Sequence, residues 1–264
     1  TSTSKRYLAL DAFRGFIMVV LVSAGFGLQG TPDGSFYRTL AVWFDHVEWE
    51  GAVFWDMIQP AFLFMVGVAM PFALARRAEQ GAKFGALFRH VAVRSLKLLI
   101  LSEIIMCVNR NRLHMQLTNV LAQVAFTYFL CFLILRLRFR WQVVAAAVLL
   151  GGHWALFAAF PGPEGAFSKI GNIGDVIDRA LLGWANQGHY TSLNFICSTV
   201  TTLSGAWTGM LFRSNMSDER RVRVLLAAAA GCFAGSWALA ALGNPIVKRL
   251  WTASWTLYSG GWVL

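Results

Sequence analysis

The stretch FDHVEWEGAVFWDMIQPAFLFMVG, residues 44–67, changes from polar to apolar about halfway along. Four carboxylates and His46 lie between residues 45 and 56, and phenylalanines, a proline and a glycine follow. Asp56 stands inside the apolar half, where an unpaired carboxylate would have a raised pKa or require a hydrogen-bond donor. The stretch therefore predicts a membrane-spanning helix with a titratable cluster at its mouth.

The composition supports a membrane protein. Hydrophobic residues make up 57% of the 264 residues and charged residues only 14%, which is too apolar for an ordinary soluble domain of this length. The net charge of +10 does not indicate a nucleic-acid partner, because no basic patch stands apart from the apolar segments and no known nucleic-acid module occurs. We expect the partner surface to be the lipid bilayer.

Long apolar segments predict an all-α fold. Strands of a membrane barrel would alternate over about ten residues, whereas these segments are apolar on nearly every side. The sequence therefore predicts one transmembrane domain over 1–264, a polytopic bundle of about seven complete transmembrane helices and a truncated eighth. The predicted spans are residues 7–29, 52–75, 91–108, 117–135, 141–160, 191–212 and 224–243, with the eighth beginning near 251.

The distribution of lysine and arginine predicts the orientation. Fifteen of the 23 basic residues lie before the first span or in the even connections, and seven lie in the odd connections. Cytoplasmic segments carry the excess of basic residues, so the N-terminus is predicted to be cytoplasmic and His46 to face outward. The long outward connection, 161–190, contains several glycines and is expected to form a loop or cap.

Other features predict neither a leader nor a metal site. The first apolar segment carries charged residues and lacks a small-residue cleavage site, so no signal peptide is predicted. The chain begins without methionine and ends in an apolar run, so we expect a fragment that lacks C-terminal helices. The four cysteines and five histidines show no metal-ligand spacing, and we interpret the cysteines as small buried hydrophobic residues.

Charged side chains inside the first span need an explanation. Asp11 and Arg14 stand three residues apart and share one helix face. A lone charge at that depth costs at least about 2.5–3.5 kcal/mol on insertion scales. The pair is either structural, with Arg14 reaching back to the cytoplasmic headgroups, or part of a site for an anionic ligand.

Neutral polar residues also lie within predicted spans. Gln59 belongs to the second span, Asn119 and Gln123 share a face of the fourth, and Asn194 begins a polar run in the sixth. Hydrogen bonds between helices are the simplest explanation for such residues. Their convergence on one cavity is the alternative.

The first quoted stretch resembles the histidine motif of the transmembrane acyltransferases related to heparan-alpha-glucosaminide N-acetyltransferase. The segment LDAFRG, residues 10–15, resembles a second motif of that family. Without the resemblance, His46 beside tryptophans would be read as an interfacial anchor. The histidine pattern is H-x-x-W-x-G-x-x-x-x-D-x-x-x-P-x-F-x-F-x-x-G, and it is met by His46, Trp49, Gly51, Asp56, Pro60, Phe62, Phe64 and Gly67.

The resemblance implies an enzyme that takes an acetyl or other acyl group from cytoplasmic acyl-CoA and places it on an extracytoplasmic amino sugar or glycan. We expect His46 to act as general base and Asp56 to orient its ring. Acetyl-CoA is the expected donor, no metal is expected, and a homodimer is left open. The expected substrate-binding residues are Asp11, Arg14, Trp49, Gln59, Asn119, Gln123 and Asn194.

Other readings of the same residues remain. A transporter of an anionic or sugar-linked solute would use buried polar groups as a pathway, and a membrane scaffold would use them for packing. The same cavity could also acylate a lipid-linked glycan. In a bacterium, such a multi-pass protein would lie in the cytoplasmic membrane.

Overall fold

The computed structural model describes residues 8–23, 25–28, 31, 34–110 and 115–264. These residues form helices and connecting loops, and no β-strand occurs among them. Short 3-10 helices at Val42–Phe44 and Phe54–Met57 precede α3. The α-helices, α1 to α10 in chain order, are Leu8–Val22, Phe36–Ala41, Ile58–Glu79, Phe84–Arg110, Val120–Ile134, Phe139–Ala159, Ile173–Leu182, Asn194–Arg213, Asp218–Ala241 and Ala253–Val263.

The all-helical architecture is consistent with the predicted membrane bundle. Within the described ranges, four helical segments are long and apolar enough to cross a bilayer, namely Phe54–Glu79, Phe139–Ala159, Asn194–Arg213 and Asp218–Ala241. The apolar helix Val120–Ile134 is shorter. Each predicted span coincides with a helix, but α1 ends at Val22, well before residue 29. The number of spans and their orientation therefore stay predictions.

Helices α3 and α8 form the centre of the bundle, and glycines let their backbones touch. A Cβ atom on Gly67 of α3 would overlap the carbonyl oxygen of Thr202 on α8. In the opposite direction, a Cβ on Gly205 would overlap the carbonyl oxygen of Phe64. Small residues at such crossings are the usual means of close packing between transmembrane helices. This contact fixes α3, the helix that follows the histidine stretch.

The connection 161–190, which was predicted to face outward, is more ordered than a loop. It contains α7, whose N-cap Asn172 accepts a hydrogen bond from the backbone N–H of Asp175. The helix ends at Gly183, which has the left-handed φ of 79° common at helix C-termini. The sequence reading missed this helix because the surrounding glycines dominate the composition. Likewise α2, capped by Ser35, lies in the first outward connection, where no helix was predicted.

The segment between α9 and α10 folds back against the histidine stretch. The backbone N–H of Gly51 donates to the carbonyl oxygen of Ile246 over 2.9 Å. Thr252 caps α10 by accepting from the N–H of Trp255. The Gly51–Ile246 hydrogen bond holds residues 242–252 beside residues 45–57, although the two segments are about 200 positions apart in the chain.

Candidate active site

His46 and Asp56 lie side by side just before the N-terminal end of α3. The Nδ1 atom of His46 is 2.6 Å from Oδ1 of Asp56. The Asp56 side chain is 1% exposed, whereas that of His46 is 42% exposed. A carboxylate at this distance holds the proton on Nδ1 and leaves Nε2 as the basic nitrogen. The imidazole is thus oriented by a buried carboxylate and remains accessible.

A third charged group, Lys248, completes the cluster. Its Nζ atom donates to Oδ1 of Asp56 over 3.1 Å, and its side chain is only 5% exposed. Nζ also lies 3.4 Å from Nδ1 of His46. Because a lysine ammonium and a protonated Nδ1 are both donors, we interpret this approach as two donors sharing Asp56 rather than as a hydrogen bond.

Opposing influences act on the charge of Lys248. Burial lowers the pKa of its ammonium, since removing a cation from water disfavours the charged form. The neighbouring Asp56 carboxylate raises it, and Arg249 lowers it further. Burial is the largest of these influences, so the pKa of Lys248 lies below its ordinary value.

Backbone groups fix the carboxylate from its other side. Oδ2 of Asp56 accepts from the N–H of Val47 at 3.4 Å and from that of Val53 at 3.3 Å. Gly51 lies between these two donors and has a φ of 101°, a backbone conformation that favours glycine. The stretch therefore wraps around Asp56, which is how two residues ten positions apart come into contact.

Contacts with the outer connection anchor the same stretch. The indole N–H of Trp49 donates to the carbonyl oxygen of Phe167 over 2.9 Å. Lys169 pairs with Glu48 at 3.4 Å. Trp49 also packs against a core cluster that contains Phe157. It was predicted to bind substrate, but here it holds the histidine stretch to the outer connection and does not line either cavity described below.

An outer cavity of about 600 Å³ opens beside His46. Trp55, Ile58 and Phe62 form part of its wall. The polar part of its lining is mainly uncharged and consists of His46, Lys248, Gln59, Gln116, Thr118, Asn119, Asn186 and Tyr190. Burial raises the pKa of the Tyr190 hydroxyl, so this group is a neutral hydrogen-bonding partner at ordinary pH.

A second, inner cavity of about 320 Å³ adjoins the first. Met18 and Phe62 line both cavities, so these side chains separate them. Arg14 and Arg94 line the inner cavity, and the Arg94 guanidinium lies 4.9 Å above the Tyr128 ring. The lining residues of α3 run from 58 to 73, which corresponds to a path of about 22 Å along the helix.

The neutral residues predicted for the site are divided between the cavity wall and the protein interior. Gln59 lines the outer cavity, and its Nε2 donates to Oε1 of the buried Gln123 over 2.5 Å. Asn119 lines the cavity too, caps α5 and donates to Ser102. Asn194 is fully buried at the start of α8 and lines neither cavity.

Asp11 is half-buried on α1 and also lies outside the lining of both cavities, although Arg14 on the same helix face lines the inner one. Sequence reasoning missed several groups that the structure brings to the site. Lys248 and Arg94 were counted only for orientation, and Asn186 was not considered. The available signal for Lys248 was a cation inside the apolar segment NPIVKRLW, residues 244–251, at a predicted span end.

The chain is similar to heparan-alpha-glucosaminide N-acetyltransferase of the mouse, Mus musculus. The identity is 23% over 226 residues, covering 69% of this chain and 33% of the mouse protein. The chain thus spans a third of the length of this curated relative. No protein-family model matches it. This distant similarity suggests a transferase, and the His46 cluster gives that suggestion a chemical basis.

Proposed function

We propose that this protein is a membrane acyltransferase. It moves an acetyl or other acyl group from acyl-CoA on the cytoplasmic side to an amine or hydroxyl of an extracytoplasmic acceptor, for which an amino sugar or glycan is the first candidate. The observation that carries the proposal is the His46–Asp56–Lys248 cluster at the edge of the outer cavity. The similarity to an N-acetyltransferase supports the reaction class.

The cluster provides the base that acyl transfer needs. As the acceptor nitrogen or oxygen attacks the thioester carbonyl, Nε2 of His46 takes its proton. The carbon–sulfur bond then breaks, and the proton on Nε2 passes to the departing CoA thiolate. Asp56 holds the ring in the required tautomer and stabilises the imidazolium that forms between the two steps.

Lys248 has two roles in this scheme. It compensates the buried negative charge of Asp56, which would otherwise be unfavourable in an apolar environment. It also lines the cavity, where a positive charge stabilises the oxyanion of the tetrahedral intermediate. Among the residues expected to bind substrate, Gln59 also lines this cavity and Asn194 does not.

The inner cavity suits the donor. Phosphate groups of CoA would bind Arg14 and Arg94, since guanidinium groups recognise phosphate strongly. The pantetheine arm would then pass Met18 and Phe62 and bring the thioester to His46. This route requires the orientation predicted from the basic residues, with Arg14 towards the cytoplasm.

The direct test is acetyl transfer by His46→Ala in membranes, with His90→Ala as the matched control. His90 lies on α4 and lines neither of the two cavities. We expect a loss of roughly 10²–10⁴-fold for His46→Ala, the usual contribution of a general base. The control should keep the wild-type rate. Full activity of His46→Ala would refute the proposal.

A covalent route through acyl-histidine uses the same cluster. In that case Nε2 would attack the thioester itself and carry the acyl group to the acceptor. Incubation with radiolabelled acetyl-CoA in the absence of acceptor distinguishes the routes. Label that stays on the protein and is lost in His46→Ala indicates the covalent route, and absence of label indicates direct transfer.

Transport is the second candidate, because cavities open on both sides of Phe62. A transporter would move an anionic or sugar-linked solute across the membrane of liposomes, and this flux would not require CoA. An acyltransferase would instead be stabilised by acetyl-CoA and form an acylated product. Solute flux that survives His46→Ala, with no acyl transfer by the wild type, would favour transport.

A further inference from the structure

We propose that the acceptor is a lipid-linked molecule, with its reactive amine or hydroxyl on a polar headgroup and its hydrocarbon chain extending sideways into the bilayer. The inference rests on the proposed function and adds the class of acceptor. It follows from the lining of the outer cavity, which combines polar side chains, His46 among them, with apolar side chains of α1 and α5.

The apolar part of the cavity is formed by side chains that are also partly exposed. Met18 and Leu21 of α1 are 49% and 42% exposed, and Val120 at the start of α5 is 41% exposed. Exposed apolar groups on a membrane-spanning bundle face lipid. The rim of the cavity is therefore continuous with the lipid-facing surface.

The packing of α1 explains why this opening exists. Ile17 and Val20 are buried against Ile58 of α3 and its neighbours. Met18 and Leu21 each follow one of these residues, so they lie about 100° further around the helix and point away from that contact. Helix α1 is thus attached by one face. Its adjacent face, with Met18 and Leu21, lines the apolar part of the outer cavity together with Val120, and these three residues define the crevice.

The polar side chains of the same cavity suit a polar headgroup. Gln116, Asn119 and Asn186 offer amides, and Tyr190 offers a hydroxyl. Asn186 also donates to Thr118 over 2.8 Å, which joins the loop after α7 to the segment before α5 above the cavity. Such neutral hydrogen-bonding groups fix the orientation of a polar ligand. They have no function towards a purely hydrocarbon chain.

Charge further restricts the headgroup. No carboxylate belongs to the lining contributed by the described residues, because Asp56 lies behind His46 and Lys248. A cationic headgroup would therefore meet the Lys248 ammonium and find no carboxylate on the cavity surface to bind it. The reactive nitrogen, where the acceptor is an amine, enters as the free base.

The experiment compares two acceptors that share one headgroup, methyl β-glucosaminide and decyl β-glucosaminide, with acetyl-CoA and the protein in lipid nanodiscs. We expect kcat/KM to be at least roughly tenfold higher for the decyl compound, because burying methylene groups strengthens binding. Val120→Trp, which fills the crevice, should reduce this ratio towards one. Leu226→Trp on the exposed face of α9 is the control and should keep the ratio.

The outcomes distinguish the lipid-linked acceptor from the proposed function. Equal use of both glucosaminides, or a ratio that Val120→Trp leaves unchanged, overturns the inference and leaves the proposed function standing. No turnover of either compound overturns the proposed function, and the inference falls with it. If Val120→Trp abolishes both activities, Leu21→Trp on the opposite wall provides the same comparison.

A long acyl chain on the donor is the competing occupant of the crevice. Decanoyl-CoA is therefore compared with acetyl-CoA, using methyl β-glucosaminide as acceptor. We expect no preference for decanoyl-CoA. A preference that Val120→Trp removes, together with equal use of the two glucosaminides, would assign the crevice to the acyl chain and overturn the inference.

Discussion

Replacing Lys248 by methionine tests the buried ion pair most directly. Methionine approximates the length of the lysine side chain but removes its charge. Asp56, which is 1% exposed, would then keep His46 and two backbone N–H groups as donors but lose its lysine partner. The variant therefore creates a buried anion that is only partly compensated.

The expected loss of stability is large. Removing one partner of a buried ion pair typically costs about 3–5 kcal/mol, since the remaining charge stays in a medium of low polarity. For a chain of this size, that corresponds to a decrease in Tm of roughly 6–20 °C. Adding Asp56→Asn to Lys248→Met removes the uncompensated charge, so the double variant should recover much of the lost stability.

An exposed ion pair on the same side of the molecule is the matched control. Lys169 pairs with Glu48, whose side chain is almost fully exposed. Exposed pairs contribute about 0–1 kcal/mol, so Lys169→Met should change Tm by no more than a few degrees. The assay is thermal unfolding of the purified variants in one detergent, followed by tryptophan fluorescence.

Two outcomes of the Tm comparison would refute this account of the ion pair. If Lys248→Met is no less stable than Lys169→Met, the pair does not compensate a buried charge. If the double variant is less stable than Lys248→Met alone, Asp56 does not carry the uncompensated charge. Either result would remove the energetic argument for the cluster, independently of any assay of acyl transfer.

Three further predictions follow from the packing, the charges and the inner cavity. Gly205→Val should lower Tm, because the valine side chain would overlap the backbone of α3. Gly231→Val on α9 is the control and should leave Tm unchanged in the same thermal unfolding assay, because a Cβ atom there meets open space. Burial raises the pKa of Asp178 above its ordinary value of 3.8, because the folded state favours the neutral carboxyl. The stability gained from this protonation is present below pH 3.8 and is lost as the pH rises through the pKa of the folded state. Asp178→Asn should therefore raise Tm at pH 7, and its advantage should shrink towards pH 4; an advantage that grows on acidification would contradict this sign. Arg14→Gln should raise KM for acyl-CoA in steady-state assays more than Arg76→Gln, since Arg14 lines the inner cavity and Arg76 does not.

The sequence predicted the elements of the fold better than their ends. The principal helices could be located from the sequence because each contains a predominantly apolar segment, and about 20 such residues span a bilayer. Helix α7 was missed because its stability comes from the cap at Asn172 and from tertiary contacts, not from a long apolar segment. The early end of α1 at Val22 was missed since the apolar letters continue beyond it.

In the candidate site, the local contact could be predicted from the sequence and the long-range contact could not. The contact between His46 and Asp56 lies within ten residues, so local spacing and Gly51 made a close approach plausible from sequence. The contribution of Lys248 comes from 192 positions beyond Asp56 and depends on how the segment before α10 folds back. No local pattern specifies that contact, and the two cavities likewise depend on the packing of several helices.

The energetic character of the cluster connects the fold to the proposed chemistry. A buried ion pair is weak evidence for stability, because apolar residues of the same volume often serve the fold as well or better. The Asp56–Lys248 pair is therefore better explained by its position between a half-exposed imidazole and a cavity than by packing. If Asp56 served only to join α3 to the last connection, a hydrophobic contact would be sufficient. In the proposed reaction, a carboxylate keeps the imidazole oriented while the ring gains and releases a proton, and Lys248 compensates the charge of that carboxylate.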